Sequence, residues 1–317
     1  MSQNKPIQLG LCCLNITLKA QKPSVYPSRR MIIRTIEEQG IDELKRRIIL
    51  NLQDTLTMMD WNEANGIKVF RLSSDLFPHK SNNKITAYTF DFANDLLKAI
   101  GDKARQLNQR ITFHPGHFNV LGTPNATALQ NTISDLTYHA EMLDLMGLDH
   151  NSVMVIHGGG TYGNKSAAID RWCQNYQLLS ENIRKRLVLE NCEKNFSIVD
   201  CLEISHRLHI PVVFDIFHHY CYQKLHPAAG LAEPVEYIES VLATWQIRNI
   251  KPKFHISEQG SGKLGHHSDY ISKLPEFLLE IPHRYGVEID IMIEAKNKEL
   301  AIFDLYQKYP ELNCSAL

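Results

Sequence analysis

Imidazoles and carboxylates recur in this sequence at the ends of short apolar runs. His114 closes RITFH (110–114), His157 closes SVMVIH (152–157), Glu190 closes RLVLE (186–190) and Asp215 closes PVVFD (211–215). His218 follows within PVVFDIFHH (211–219), His255 lies in PKFHIS (252–257), His267 follows in the next loop, and Glu294 ends the run from Ile289. In isolation, Asp215 and His218 read equally well as an aspartate capping the next turn beside a satisfied histidine. The recurrence favours metal. Imidazole and carboxylate donors without thiolate suit Zn²⁺, Mn²⁺ or Fe²⁺ rather than a structural cysteine–zinc site. Eight ligands exceed one ion's needs and carboxylates bridge, so two or three ions are expected. Such a cluster suits phosphodiester hydrolysis: it clamps the phosphate, lowers the pKa of water from about 15.7 towards 7 and steadies the leaving oxygen. Lys253 lies two residues before His255, so the two share a strand face. An ammonium beside metal cations is repelled. Lys253 is therefore expected to be deprotonated or carbamylated, the alternative being a lysine that snorkels to solvent. Glu190, Lys253 and Asp215 are the expected catalytic residues.

Buried parallel strands would position these groups. Apolar, β-branched runs at Ile7–Cys13, 67–72, 110–114, 152–157, 186–190, 211–215, 252–257 and Ile289–Glu294 read as strands. Between them, helical spacing appears in Leu44–Met59, Phe92–Ile100 ending at Gly101, and Leu129–Leu143 stopping at Gly147. Thr123-Pro124 would cap that third helix. Further helices are expected over Ile169–Ile183, Ile198–Leu208, Val235–Thr244, Ile271–Leu278 and Leu300–Tyr306. Lys19–Arg34 reads as a polar loop, and SSDLFPHKSNN (73–83) as another. Eight alternating units without a linker predict a single-domain (β/α)₈ TIM barrel over residues 1–317, with extended loops at the C-terminal face, where strand tips converge on one mouth.

The net charge is −1, which excludes nucleic-acid binding through a global basic field and leaves only a local patch. The seven cysteines include no C-x-x-C pair and read as reduced thiols of an intracellular protein. The polar start MSQNKP is no signal peptide and no apolar run reaches membrane-spanning length. Arg29, Arg30 and Arg34 read either as contacts to a DNA backbone or as the solvated charges of a loop, and Gly158–Gly160 offer either phosphate-binding amides or a tight turn.

The motifs RLSSDLFP (71–78), HPGHF (114–118), IHGGGTYGNK (156–165), LENCEK (189–194), VFDIFHHY (213–220), PKFHIS (252–257), HSDY (267–270) and MIEAK (292–296) resemble, in order, those of the UV damage endonucleases. The resemblance covers nearly the whole chain. It implies a metal-dependent barrel endonuclease, related to those acting on abasic sites, that cuts DNA 5′ to a UV photoproduct and leaves a 3′-hydroxyl and a 5′-phosphate. Manganese is the implied metal, with Zn²⁺, Fe²⁺ or Mg²⁺ as alternatives. Carried over by motif, His114, His157 and Glu190 hold one ion. Glu190 bridges to a second held by Asp215, His255 and Glu294, and His218 and His267 hold a third. The resemblance also favours carbamylation of Lys253. Asn15, Arg29, His117, Phe118 and Tyr162 are the expected contacts to damaged double-stranded DNA. A monomer is expected, acting in the cytoplasm of a prokaryote or wherever DNA is repaired.

Three positions depart from the family pattern. His117 stands in a slot commonly Gln, Asn82 where many members have His, and Leu11 where some have Tyr or Phe. His117 and Phe118 are expected to fill the gap left when a lesion leaves the stack, and His117 to titrate near pH 6.5. Other outcomes for such a chain are a metal-dependent sugar isomerase or epimerase on the same barrel, and an inactive DNA-damage sensor. The first would not need the third-metal pair His218 and His267 or wedge residues in the HPGHF loop, and the intact ligand set argues against the second.

Overall fold

The computed structural model describes residues 5–82 and 88–314. The opening MSQN and Asn83 of the SSDLFPHKSNN stretch lie outside these residues. Eight strands run in parallel: β1 (Ile7–Cys12), β2 (Val69–Arg71), β3 (Arg110–Thr112), β4 (Met154–His157), β5 (Leu187–Glu190), β6 (Val212–Asp215), β7 (Lys253–Ile256) and β8 (Ile289–Ile293). Their order is β3-β2-β1-β8-β7-β6-β5-β4, and a parallel bridge from Phe113 to Met154 brings the two ends together. The result is the expected TIM barrel.

The helices are α1 (Ile16–Ala20), α2 (Ile33–Gln39), α3 (Ile41–Ala64), α4 (Asn94–Gln106), α5 (Ala126–Leu145), α6 (Lys165–Tyr176), α7 (Glu181–Arg184), α8 (Ile198–Leu208), α9 (Ile216–Leu225), α10 (Ile238–Gln246), α11 (Glu276–Leu279), α12 (Ile281–Tyr285) and α13 (Lys298–Lys308). Several differ from the sequence-based boundaries for local reasons. The Lys19–Arg34 segment begins in α1 and ends in α2. Helix α4 runs through Gly101 to Gln106, because Gly101 is a contact point rather than a stop: a Cβ there would lie 1.6 Å from the Met146 carbonyl oxygen. Helix α5 is capped by Asn125, whose side chain accepts from the Ala128 amide at 2.9 Å, while Thr123 accepts from the Asn125 amide. The Ile169–Ile183 span is two helices, the second capped by Ser180. A 3₁₀ turn at Pro234–Tyr237 precedes α10, and the stretch from Ile271 reduces to the short α11 and α12. β6 passes directly into α9 without an intervening loop, and Asp215 caps that helix.

The main apolar core joins strands to helices, as Leu9, Phe70, Ile111, Trp172 and Phe254 illustrate. The barrel interior is layered differently. At its N-terminal end Asp290 is held by Arg110 and Lys251, both at 2.7 Å. Above it Cys12, Val69 and Met292 form a separate small apolar cluster. Gly10 belongs to this level, since a Cβ there would meet the Met292 methyl at 2.8 Å. Met292 pairs in register with His255, so the ligand-type side chains begin at this cluster.

The α4–α5 crossing supplies a stability test. A Gly101→Ala protein must push α4 away from a backbone carbonyl that cannot rotate aside. It is expected to lose about 1–3 kcal/mol, read as a lower Tm and an earlier denaturant midpoint.

Candidate metal centre at the barrel mouth

Strand periodicity aims the candidate ligands inward. His157 pairs in register with Glu190, and Asp215 with His255, so adjacent strands present donors at one height. Glu190 is fully buried at the middle of the group. Its Oε2 lies 2.8 Å from His114 Nε2 and 3.2 Å from His157 Nε2. Its Oε1 lies 3.0 Å from His255 Nδ1 and 3.5 Å from His218 Nδ1. Glu294, just past β8, approaches His255 Nδ1 at 3.3 Å and His267 Nδ1 at 3.9 Å. Asp215 spends Oδ1 on the His218 amide at 2.7 Å, which is the helix cap. Capping and ligation thus coexist, for Asp215 Oδ2 is buried with no hydrogen-bond partner, as is His255 Nε2.

The eight side chains expected as metal ligands therefore converge. Three sets bring one donor atom from each residue within 4.8 Å: His114–Glu190–His255, His157–Glu190–His218 and Asp215–His255–Glu294. This partition differs from the expected one. His157 groups with His218 and not His114, and His267 stands beside Glu294 outside the three sets. Two orphaned buried donor atoms within an all-nitrogen and oxygen shell fit divalent cations.

The charges follow from this crowding. Burial opposes ionisation of Glu190, but His255 and His157 hold it well below the usual carboxylate range. Burial likewise opposes ionisation of Glu294, and Arg71 and His255 outweigh it. Burial, with Glu190 and Glu294 nearby, pushes Asp215 up to about 8. Burial disfavours a charged His218, yet Asp215, Glu190 and Glu294 raise it to about 9. The Asp215–His218 pair thus holds a proton that a cation would displace.

Lys253 is fully buried and donates from Nζ to Thr112 Oγ1 at 2.9 Å, so it does not snorkel to solvent. Burial, with Arg110 and Arg71 nearby, lowers it to about 7, leaving a substantial fraction as free amine at neutral pH.

The expected DNA contacts are placed less uniformly. Phe118 is 57% exposed. His117 instead packs its ring against His157, 4.8 Å between centroids, and against His114 at 6.0 Å. Burial and those two rings lower it to about 4, so the expected titration near pH 6.5 is absent and His117 is neutral from pH 6 to 7.5. Tyr162 is exposed, with the Arg171 guanidinium 5.7 Å from its ring centroid. Asn15 caps α1 by accepting from the Leu18 amide at 2.7 Å, and its Nδ2 is buried without a partner. Arg29 is turned to Asp54 and the Tyr26 carbonyl, both at 2.6 Å. Gly158 lies where a Cβ would meet the Phe196 ring at 2.3 Å, which accounts for that glycine by packing.

Three supporting residues escaped the sequence reading. Arg71 forms an ion pair with Glu294, and its place at the tip of the β2 run was the available signal. Asn191, next to Glu190, brackets Asp215 by accepting from its amide at 2.8 Å and donating to its carbonyl at 2.9 Å. Glu299 accepts from the amides of Ile16 and Thr17 and so anchors the turn after Asn15.

A model of the UV-endonuclease UvdE family matches residues 7–315. A protein of Acanthamoeba polyphaga mimivirus, named as a candidate UV-damage endonuclease, is 38% identical over 314 residues, 98% of this chain and 93% of that one. The UV-damage endonuclease of Schizosaccharomyces pombe is 36% identical over 96% of this chain but only 52% of its own length, so this chain spans about half of that relative. The crystal structure of SacUVDE superposes with a TM-score of 0.82 at 30% identity, over 97% of this chain and 99% of the other. Likeness to an AP endonuclease of Brucella melitensis and to an L-ribulose 3-epimerase, with TM-scores of 0.50 and 0.51 at 10% and 12% identity, is one of fold alone.

The buried amine makes a test of its own. Lys253 falls from an ordinary value of 10.5 to about 7, so between these values the unfolded chain holds a proton that the folded chain has lost. Stability of the metal-free protein should therefore rise with pH across that window. In metal-chelated, CO₂-free buffer, Lys253→Met is expected to be more stable than the parent at pH 7, with the gap closing towards pH 10. Parallel pH profiles of the denaturation midpoint would contradict this.

Proposed function

The chain belongs to the UV-endonuclease UvdE family, and from that premise we propose that it hydrolyses the DNA phosphodiester immediately 5′ to a UV photoproduct, leaving a 3′-hydroxyl and a 5′-phosphate. The observation that carries this reading is the buried Glu190 carboxylate, surrounded by imidazoles at the C-terminal end of the barrel. Two or three divalent ions, Mn²⁺ foremost, would be held by His114, His255 and Glu190, by His157, His218 and Glu190, and by Asp215, His255 and Glu294, with His267 beside them. Bound there, they would neutralise phosphate charge and lower the barrier to attack by water. Zn²⁺, Fe²⁺ or Mg²⁺ suit the same donors.

The protein's own groups prepare the site. Arg71 holds Glu294 in place. Asn191 fixes the backbone of Asp215, so that Oδ2 stays turned away from the helix it caps. Lys253, a substantial fraction of which is free amine near neutral pH, either accepts a proton at Nζ or adds to CO₂, forming an N–C bond and releasing one proton to give a carbamate. A carbamate would supply a further anionic donor beside His255.

Lesion reading falls to the loops. A photoproduct must leave the base stack before its phosphate can approach a recessed centre. Phe118 stacks on the exposed bases, while His117, neutral and packed on His157, fixes the loop that carries it. Tyr162, exposed after β4, is the contact on that side, while Asn15 and Arg29, engaged with the α1 cap and Asp54, shape the loop after β1 that faces the duplex. The isomerase reading loses its support here, because only the fold is shared with those enzymes.

UV-irradiated plasmid should be nicked in Mn²⁺ and left intact in EDTA, and undamaged plasmid should survive both. End-labelled products should carry a 3′-hydroxyl and a 5′-phosphate. A folded Glu190→Gln protein should fall to background, and near-normal nicking by it would remove Glu190 from the centre of the mechanism. Phe118→Ala should weaken cutting of a lesion in paired duplex far more than of one already unpaired. Stacking worth about 1–3 kcal/mol corresponds to about 5- to 150-fold. Equal losses on the two substrates would leave Phe118 a packing residue.

A further inference from the structure

The loop after α1 carries a feature that folding does not explain. Its backbone is pinned from α3: Asn51, fully buried, accepts from the Arg29 amide at 2.9 Å, Asp54 accepts from the Tyr26 amide at 2.7 Å, and Arg47 donates to the Arg30 carbonyl at 2.8 Å. Met31 then enters the core at 3% exposure and Ile36 at 9%. Between these anchors Ile32 is 67% exposed and Ile33 40%. Single exposed apolar residues are ordinary. Two in succession, on a rigid base, bordering the cavity that holds the exposed Phe118, are a different case. That cavity, about 970 Å³, is lined by Arg30, Ile32, Ile33, Gly116 and Phe118 among others.

The flanking charge indicates what covers this patch. Arg30 and Arg34 have side chains 75% and 81% exposed. Among the described residues Arg30 pairs with the half-buried Asp75 and Arg34 with the exposed Glu38; a guanidinium as exposed as these gains little from such a pair and can exchange it for another anion. An apolar tip flanked by cations is the device with which architectural proteins enter between base steps and hold the adjoining phosphates. In a chain of net charge −1 these arginines supply a local basic edge that a DNA substrate requires.

We propose that Ile32, supported by Ile33, is a second wedge that enters the damaged duplex beside the lesion, with Arg30 and Arg34 on the adjoining phosphates. Phe118 enters from the loop after β3, so two loops on one cavity hold the duplex open. The proposal rests on the DNA-cleavage reading above.

The test compares one photoproduct placed in a paired duplex and in a pre-formed bubble. Ile32→Ser, a change at an exposed position, should lower kcat/KM on the paired duplex about tenfold more than on the bubble. Ile32→Leu, which keeps the apolar volume, should restore the paired activity. A 2-aminopurine beside the lesion should brighten on binding the parent protein and brighten less with Ile32→Ser. The Arg30→Gln, Arg34→Gln protein should show a salt slope of binding reduced by about one to two. If Ile32→Ser matches the parent on both substrates and in fluorescence, the wedge is refuted while DNA cleavage stands. If the parent nicks no UV-damaged DNA, the reading fails and the wedge with it. Loss on both substrates to the same extent would make Ile32 a residue of general binding and also overturn the wedge.

Discussion

A carboxylate with no access to water organises the mouth of this barrel. Glu190 is fully buried, and an isolated charge in that position would neutralise itself or unfold its surroundings. Four imidazoles prevent this, and they come from the ends of β3, β4 and β7 and from the first turn of α9. No two of them are close in sequence. The arrangement therefore exists only while the strands hold their register and the Phe113–Met154 bridge closes the ring. Breaking a buried pair of this kind costs about 3–5 kcal/mol, because the remaining charge is left unpaired. The site thus draws on the stability of the rest of the molecule.

That stability lies outside the ring. The large apolar cluster fills the space between strand wall and helices, whereas the interior changes character by level. An ionic plug of Asp290, Arg110 and Lys251 closes the bottom, Lys253, in register with Asp290, bonds to Thr112 beside it, and a small apolar cluster of Cys12, Val69 and Met292 follows, with Met292 in register with His255. A barrel with a wholly apolar lumen could not carry a lysine there, and its depressed pKa reflects how little solvent reaches it. The same exclusion of solvent strengthens every interaction among the charged groups above it.

The division between strand tips and loops also divides the work. Most of the candidate metal-holding residues sit on, or immediately beyond, regular backbone, which fixes their separations, with His267 on a loop the exception, while Phe118, Tyr162 and the Ile32 loop present exposed side chains on irregular backbone. DNA recognition needs surface that protrudes and local positive charge, because the chain as a whole carries almost none. Arg71 illustrates the contrast: it is as cationic as Arg30, yet its charge is consumed inside the site by Glu294.

The alternation of β-branched runs with helical periodicity implied a parallel sheet, and eight units pointed to a barrel, whose closure the Phe113–Met154 bridge supplies. The convergence of the imidazoles and carboxylates was legible too, because several successive strands of one barrel end on such groups and their tips meet at one mouth. Boundaries were less so: Gly101 looked like a stop and is a close crossing, and Asn125 displaced Thr123 as a cap through a contact that spacing does not encode. The environment of a side chain was not legible at all. His117 appeared free to titrate, but lies against two other imidazoles. Lys253 had three possible fates until its burial excluded solvent. Sequence order determined which residues reach the mouth, because strand period and strand ends are local properties. Which imidazole groups with which carboxylate, and which charge survives there, depend on distances and solvent access that arise only when remote strands close into a ring.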